Sequence, residues 1–260
     1  MSTTGSPRSE SAAPQTMRGI KEQFRLERHR EFLTTALRIV MADGLQGLTM
    51  QRLADEIGCG IGSLYRHFPS KDALIAELER EALDVVNTSF QLSQAYVGEV
   101  LAKRGIEHSG LVALARSVAA TRFWVAAETV FPQEIELSRR MFTDPELHMD
   151  ESDVARVLPA ALRLLDMARQ LLEDCNSTGA LREGPAIQRA IIVVAGTTGV
   201  LMTSGLGRFD ETLFDGRMLA SLMVHDLFLG WGADPEELSV VEDLISTIAE
   251  HGQLIPPVHH

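Results

Sequence analysis

Between Thr49 and Phe68 the chain holds two apolar stripes separated by glycines, and each stripe is too short to be stable by itself. Leu53, Ala54 and Ile57 fall on one side of a segment that Thr49 is placed to cap and Gly58 to end. Cys59-Gly60 supplies a turn, and Leu64 and Phe68, at i and i+4, mark a second segment that starts at Ile61 and closes at Pro69. Isolated helices below about 12–15 residues are marginal in water, so these pieces must share one small core with a neighbour. The neighbour precedes them: Leu33, Ala36, Leu37, Val40 and Met41 form one stripe of a helix that Asp43-Gly44 stops. Ser70 then caps a much longer helix with Leu74, Leu78 and Val85 along it.

Helix, glycine-containing turn, helix is the spacing of a helix-turn-helix, whose second helix enters the major groove of DNA. Charge is consistent with this. Residues 1–71 carry ten Lys and Arg against seven Asp and Glu, whereas residues 72–260 carry fourteen against twenty-nine. A mildly basic head on an acidic body suits a protein that meets a polyanion at one end. From Gly58 to Lys71 no acidic residue occurs. Lys71 sits in the first turn of a helix, where the macrodipole disfavours a cation by about 0.3–1 kcal/mol. A phosphate docked on that helix end would reverse the sign.

The rest reads as long helices near 107–129, 132–143, 152–175, 185–207, 216–231 and 235–251, with no alternating run that argues for a strand. An all-α protein is expected: a flexible arm over 1–22, rich in Ser, Thr, Pro and Gly, a helix-turn-helix domain over 23–70, a helical regulatory and dimerisation domain over 71–252, and a tail over 253–260. The apolar share of 45% and the charged share of 23% exclude wholesale disorder. The longest nearly uncharged stretch, Ala190–Met202, is broken by Gly196, Thr197, Thr198 and Gly199 and is shorter than the about 20 residues a bilayer needs, so no membrane partner is expected. The first basic residues precede no apolar run, which points to the cytoplasm. Cys59 and Cys175 have no partner pattern and read as free thiols. There is no nucleophile elbow, no metal-ligand spacing and no strand before Gly58-Cys59-Gly60-Ile61-Gly62, so no catalytic residue, metal or cofactor is assigned.

LTMQRLADEIGCGIGSLYRHFPSKDALIAEL, residues 48–78, resembles the DNA-binding domain of the TetR family of bacterial transcriptional regulators, with its Leu-Tyr-x-His-Phe core and following lysine. LASLMVHDLFLGWGADPEEL, residues 219–238, is similar to that family's terminal dimerisation helix and the segment after it. The resemblance implies phosphate contacts at Thr49, Tyr65, His67 and Lys71, and positions near base edges at Gln51, Ile61, Gly62 and Ser63. Ile61 and Gly62 offer no side-chain hydrogen bonds, which shifts specificity toward Gln51, Arg52, Ser63, Arg66, a thymine-methyl contact from Ile61, or Arg25 and Arg28 reaching into a minor groove. Tyr65 and His67 also admit plain packing roles. The family's effector pocket lies among the central helices, where Phe123, Trp124, Ala127, Phe131, Met141, Phe142, Met149, Ala161 and Met167 are either ordinary core or the lining of a cavity for a small lipophilic molecule. Arg116, Arg122, Arg156 and Arg163 lie among apolar neighbours; ion pairs are their default, a ligand's acidic group the alternative. His225-Asp226 reads as a hydrogen-bonded interface pair.

One helix-turn-helix reads few base pairs, so a homodimer on a palindromic operator is expected, with the protein as a ligand-responsive repressor. Its interface is assigned to the two most apolar long helices through Val193, Gly196 and Val200 on one and Leu219, Met223, Leu227 and Trp231 on the other, with glycines allowing close approach. The competing reading makes these helices a monomer's own core, and makes the whole an all-helical enzyme or carrier.

Overall fold

The computed structural model describes residues 17–143, 150–250 and 254–255. Every regular element among them is helical, as the absence of alternating patterns requires: α1 Met17–Gly47, α2 Met50–Ile57, α3 Ile61–Tyr65, α4 Lys71–Lys103, α5 Ser109–Val130, α6 Pro132–Thr143, α7 Glu151–Thr178, α8 Ala186–Met202, α9 Gly216–Gly230 and α10 Pro235–Glu250. The chain divides into two compact units, the first ending at Lys71 and the second beginning at Asp72.

In the first unit α1 starts at Met17, inside the segment expected to be an arm; residues 1–16 of that arm lie outside the described residues. Gly44 interrupts α1 with φ 75°, the break that Asp43-Gly44 signals. Phe32, Leu33, Ala36, Ile39 and Val40 of α1 are buried, as are Leu53 and Ala54 of α2 and Leu64 of α3, so the short helices do share one core. The expected second short helix is shorter than its stripe, ending at Tyr65, with Phe68 buried beyond it.

The second unit is built around α5. Its small residues Ala113, Ala115 and Ala119 let neighbouring helices approach closely, and Leu172 and Cys175 of α7, Ala190 of α8, Phe228 of α9 and Val241 and Ile245 of α10 join them in one buried cluster. A second cluster holds Val86 and Phe90 of α4 with Phe123, Ala127 and Phe131, the Phe90 and Phe123 rings meeting edge to face at 5.2 Å. Asp150 caps α7, Asp215 caps α9, and α7 ends on Gly179 at φ 78°.

By length and composition two helical stretches reach the dimensions of a membrane span, Ser109–Val130 and Ala186–Arg208, contrary to the sequence reading. The second does so because a 3-10 turn, Thr203–Arg208, prolongs α8 past the stretch judged from sequence. The apolar window of α5 is 67% buried in its own unit, that of α8 only 22%, so α8 leaves an apolar face open.

Candidate nucleic-acid interface

The Thr49 hydroxyl accepts from the Arg52 amide at 3.1 Å and so fixes where α2 begins. Gly58 ends it in the left-handed region, φ 72°, its amide turned back to Ala54 and Asp55. The Cys59 amide follows to the Ala54 carbonyl at 2.9 Å, and the Ser63 amide to the Gly60 carbonyl at 2.8 Å, which starts α3. With Leu64 inward, the turn and α3 present Gly62, Tyr65 and Arg66 to solvent and leave Ile61 and Ser63 half-buried. Thr49 and Gln51 are exposed beside them, the Gln51 amide donating to Asp55 at 2.8 Å.

Three of the expected DNA-contact residues also make contacts within the unit. Arg52 pairs with Asp43 at 2.6 Å and Glu56 at 3.0 Å and donates to the Gly47 carbonyl at 3.2 Å. Its hydrogen bonds to Asp43 and then to Glu56 raise its pKa, so this guanidinium braces α2 against the end of α1. Lys71 Nζ donates to the Leu45 carbonyl at 2.8 Å. The anomaly of a cation in a first helical turn therefore has an internal answer, a carbonyl near the end of α1 that also accepts from the Leu48 amide at 3.3 Å, although an ammonium with three donors keeps two for another acceptor. His67 is packed, its ring edge-on to Phe32 at 5.0 Å and 5.9 Å from His29. Desolvation first, then the positive charges of His29, Arg25, Arg66 and Arg28, push its pKa below the usual 6.5, so it is a neutral donor at pH 7.

Arg25 is held by Glu22 at 2.6 Å, and Arg28 by Glu31 at 2.6 Å with its guanidinium 5.3 Å over the Phe32 ring. His29 and Phe32, which complete the aromatic group around His67, carry no sequence signal of that role, because the contacts form only when α1 folds back.

In the second unit a narrow apolar cleft, partly open to solvent, lies between α5, α7, α8 and α9, lined by Ser117, Trp124, Leu171, Val193, Val194 and Phe228 among others. Of the residues assigned to an effector pocket, Trp124 lines it. Phe123, Ala127 and Phe131 are buried in the aromatic cluster with Met167 packed against it, and Ala161 is half-buried. Met149 and the side chains of Met141 and Phe142 lie outside the described residues.

The residues expected at a dimer interface make contacts within the chain. Val193 is buried, Met223 and Trp231 pack on the main core, and Val200 packs against Leu201 and Ala220. Leu219 and Leu227 are half-buried. Gly196 does permit a close approach, but by Met223 of the same chain: an added Cβ would lie 2.8 Å from its sulfur. The open faces are Ile187, Ile191, Ile192 and Met202 on α8 and Met218 and Leu222 on α9, 37–55% exposed. Helices apolar all round show no polar face from which their inward side can be read.

Residues 32–78 match the model of the bacterial regulatory proteins of the tetR family. Over 58 residues the chain is 45% identical to the HTH-type transcriptional repressor DrrR1 of Streptomyces coeruleorubidus, covering 22% of this chain and 20% of that protein. The chain thus matches about a fifth of that relative's length. Its fold is similar to a protein of unknown function from Rhodococcus sp. RHA1, with a TM-score of 0.57 at 18% identity over 78% of this chain and 94% of that one. It is also similar to SmeT, the repressor of the Stenotrophomonas maltophilia multidrug efflux pump SmeDEF, at a TM-score of 0.52 and 14% identity over 89% and 97% of the two chains. The all-α architecture is shared with these structures, and residues 32–78 are similar to the helix-turn-helix domain of the tetR family of bacterial regulatory proteins.

Proposed function

We propose that this protein is a cytoplasmic, homodimeric repressor that binds a palindromic operator and leaves it when a small lipophilic molecule occupies the body. The observation that carries the reading is the solvent face of α2 and α3: exposed Thr49, Gln51, Gly62, Tyr65 and Arg66, with no acidic residue from Gly58 to Lys71. On DNA, Thr49, Tyr65, Lys71 and the neutral His67 donate to phosphates, while Gln51, Ile61, Ser63 and Arg66 lie toward base edges and Gly62 lets the backbone come close. Arg25 and Arg28 are tied in exposed pairs worth about 0–1 kcal/mol, which a phosphate or a narrow minor groove outcompetes. Arg52, held at three points, is kept for bracing α2.

The dimer interface is the open apolar face of α8 and α9, Ile187, Ile191, Met202, Met218 and Leu222, in the manner of a four-helix bundle. This occupant, rather than a membrane, accounts for the open side of α8, because the same helix buries Arg189 and Thr197 on its other side. Val193 and Val194 line the apolar cleft while Ile191 and Ile192 lie outward, so one helix touches both effector and partner. A ligand that prefers a shifted α8 then changes the spacing of the two recognition helices, and lowers operator affinity by that preference. No catalytic step is assigned.

The test is selection of bound fragments from genomic DNA followed by footprinting. A two-fold symmetric protected site, bound by a protein that sediments as a dimer, is expected. Fragments retained without any sequence in common, or a monomer in solution, overturn the reading.

A further inference from the structure

Past the end of α10, two residues expected to belong to a tail are built into the body instead: Leu254 is 2% exposed and Ile255 8%. Pro256 follows them, and a residue before proline is biased away from the helical region, so the pair lies in a bend rather than in a further turn of helix. Leu254 joins the main buried cluster around α5. Ile255 joins the second one, with Val86 and Phe90 of α4, Phe123 and Ala127 of α5 and Leu171 of α7, against which Trp124 and Met167 also pack. Among the described residues no backbone hydrogen bond ties Leu254 or Ile255 to these helices, so the burial of two side chains is what keeps the pair in place.

Ala120 and Leu171 belong both to this cluster and to the lining of the narrow cleft between α5, α7, α8 and α9, and Trp124 borders both. The cleft and the seat of Ile255 therefore share walls, and withdrawal of Ile255 enlarges the apolar space beside them by the volume of its side chain. The polar groups of the cleft ask nothing of a ligand: the Ser117 hydroxyl is shared with the Leu171 carbonyl and the Cys175 sulfur, and the Thr121 hydroxyl donates to the Val118 carbonyl at 2.7 Å. We propose that Leu254-Ile255 is a detachable internal plug, and that a neutral lipophilic molecule binds in its seat by displacing Ile255 and taking over its contacts. This site rests on the reading of the body as an effector domain, and adds where the effector goes and what it must displace. Apparent affinity is the intrinsic affinity reduced by the fraction of molecules with the plug out, so whatever loosens the plug tightens binding.

Fluorescence titration of the full chain with N-phenyl-1-naphthylamine, a neutral apolar probe whose emission rises out of water, tests it without DNA. Leu254→Ala loosens the anchor and leaves the seat intact, and it raises probe affinity at least about fivefold over the unmodified protein. Ile255→Ala, which empties the seat, acts in the same direction. Val241→Ala, a similar deletion at a site 1% exposed on α10, controls for general loosening and leaves the affinity unchanged. Thermal melting shows that each variant is folded at the temperature used, and where alanine melts too early Leu254→Val and Ile255→Val shift the affinity the same way by less. Affinity unchanged by both plug substitutions, or raised as much by Val241→Ala, overturns the plug. Operator release is read separately: a lipophile that binds the plug variants more tightly yet leaves operator binding as it was keeps the plug and contradicts the effector role alone.

Discussion

Replacing Lys71 with alanine separates two roles that one ammonium can hold. Nζ lies 2.8 Å from the Leu45 carbonyl in a partly buried setting, joining the end of α1 to the start of α4. Hydrogen bonds to charged groups contribute about 1.5–3 kcal/mol, and partial exposure argues for the lower end. Removing a cation from a first helical turn returns about 0.3–1 kcal/mol. The net expectation for Lys71→Ala is a loss of about 1 kcal/mol, read as a lower urea midpoint at unchanged slope. Lys71→Met, which keeps most of the stem without a donor, behaves the same way. In salt titrations of operator binding, a phosphate contact through the remaining donors reduces the slope of log K against log salt by about one unit. An unchanged midpoint refutes the structural bond as a stabilising contact; an unchanged slope removes Lys71 from the phosphate set.

Ile191→Glu combined with Leu222→Glu places charges on the open faces of α8 and α9 and splits the dimer in sedimentation without changing the helical signal; an intact dimer rules out that face. Glu79 of α4 is buried, accepts among the described residues from the Ser138 hydroxyl at 2.8 Å, and burial raises its pKa from 4.5 to about 7. Because the folded pKa is the higher one, the carboxyl is neutral in both states at low pH, and its ionisation costs stability progressively as pH rises from 4.5 to 7. The cost levels off above that at about 3 kcal/mol at most. Glu79→Gln therefore gains on the wild type in urea unfolding at pH 8 relative to pH 4, and parallel stability profiles contradict the burial assignment. Gly58→Ala meets no atom within 4 Å but must adopt φ 72°, so its cost stays near 1 kcal/mol in the same assay; a much larger loss would reveal a hidden clash.

Local chemistry was readable from the residues, and long-range choices were not. Thr49 and Gly58 act within three or four positions of themselves, so their roles as cap and stop follow from residue type alone. The oddity of Lys71 was equally legible, but its partner Leu45 is 26 positions away, and nothing in the intervening sequence names it. Arg52 offered the same charge to DNA or to Asp43, and only the fold of α1 back onto α2 brings that aspartate to 2.6 Å. In α8 the trouble lies in the pattern. Ile191, Ile192, Val193 and Val194 are consecutive and apolar, so the period that distinguishes Val193 in the core from Ile191 in solvent is absent. Trp124 could be placed near a cavity from its type, whereas Phe123 beside it, wholly buried, could not be told apart from it.

The most direct test of DNA reading by α3 is Gly62→Glu. Gly62 is exposed near the start of α3, an added Cβ meets nothing within 4 Å, and its φ lies outside the left-handed region. Glutamate there improves helix propensity by roughly 0.5–1 kcal/mol and lies at the end of the helix that favours an anion, so the urea midpoint holds or rises. On DNA the same carboxylate faces phosphates and base edges in both half-sites, and operator affinity falls at least about a hundredfold. A variant that is as stable as the wild type and no longer binds is the predicted result. A variant that binds its operator as tightly as before would contradict the assignment of α3 to the DNA.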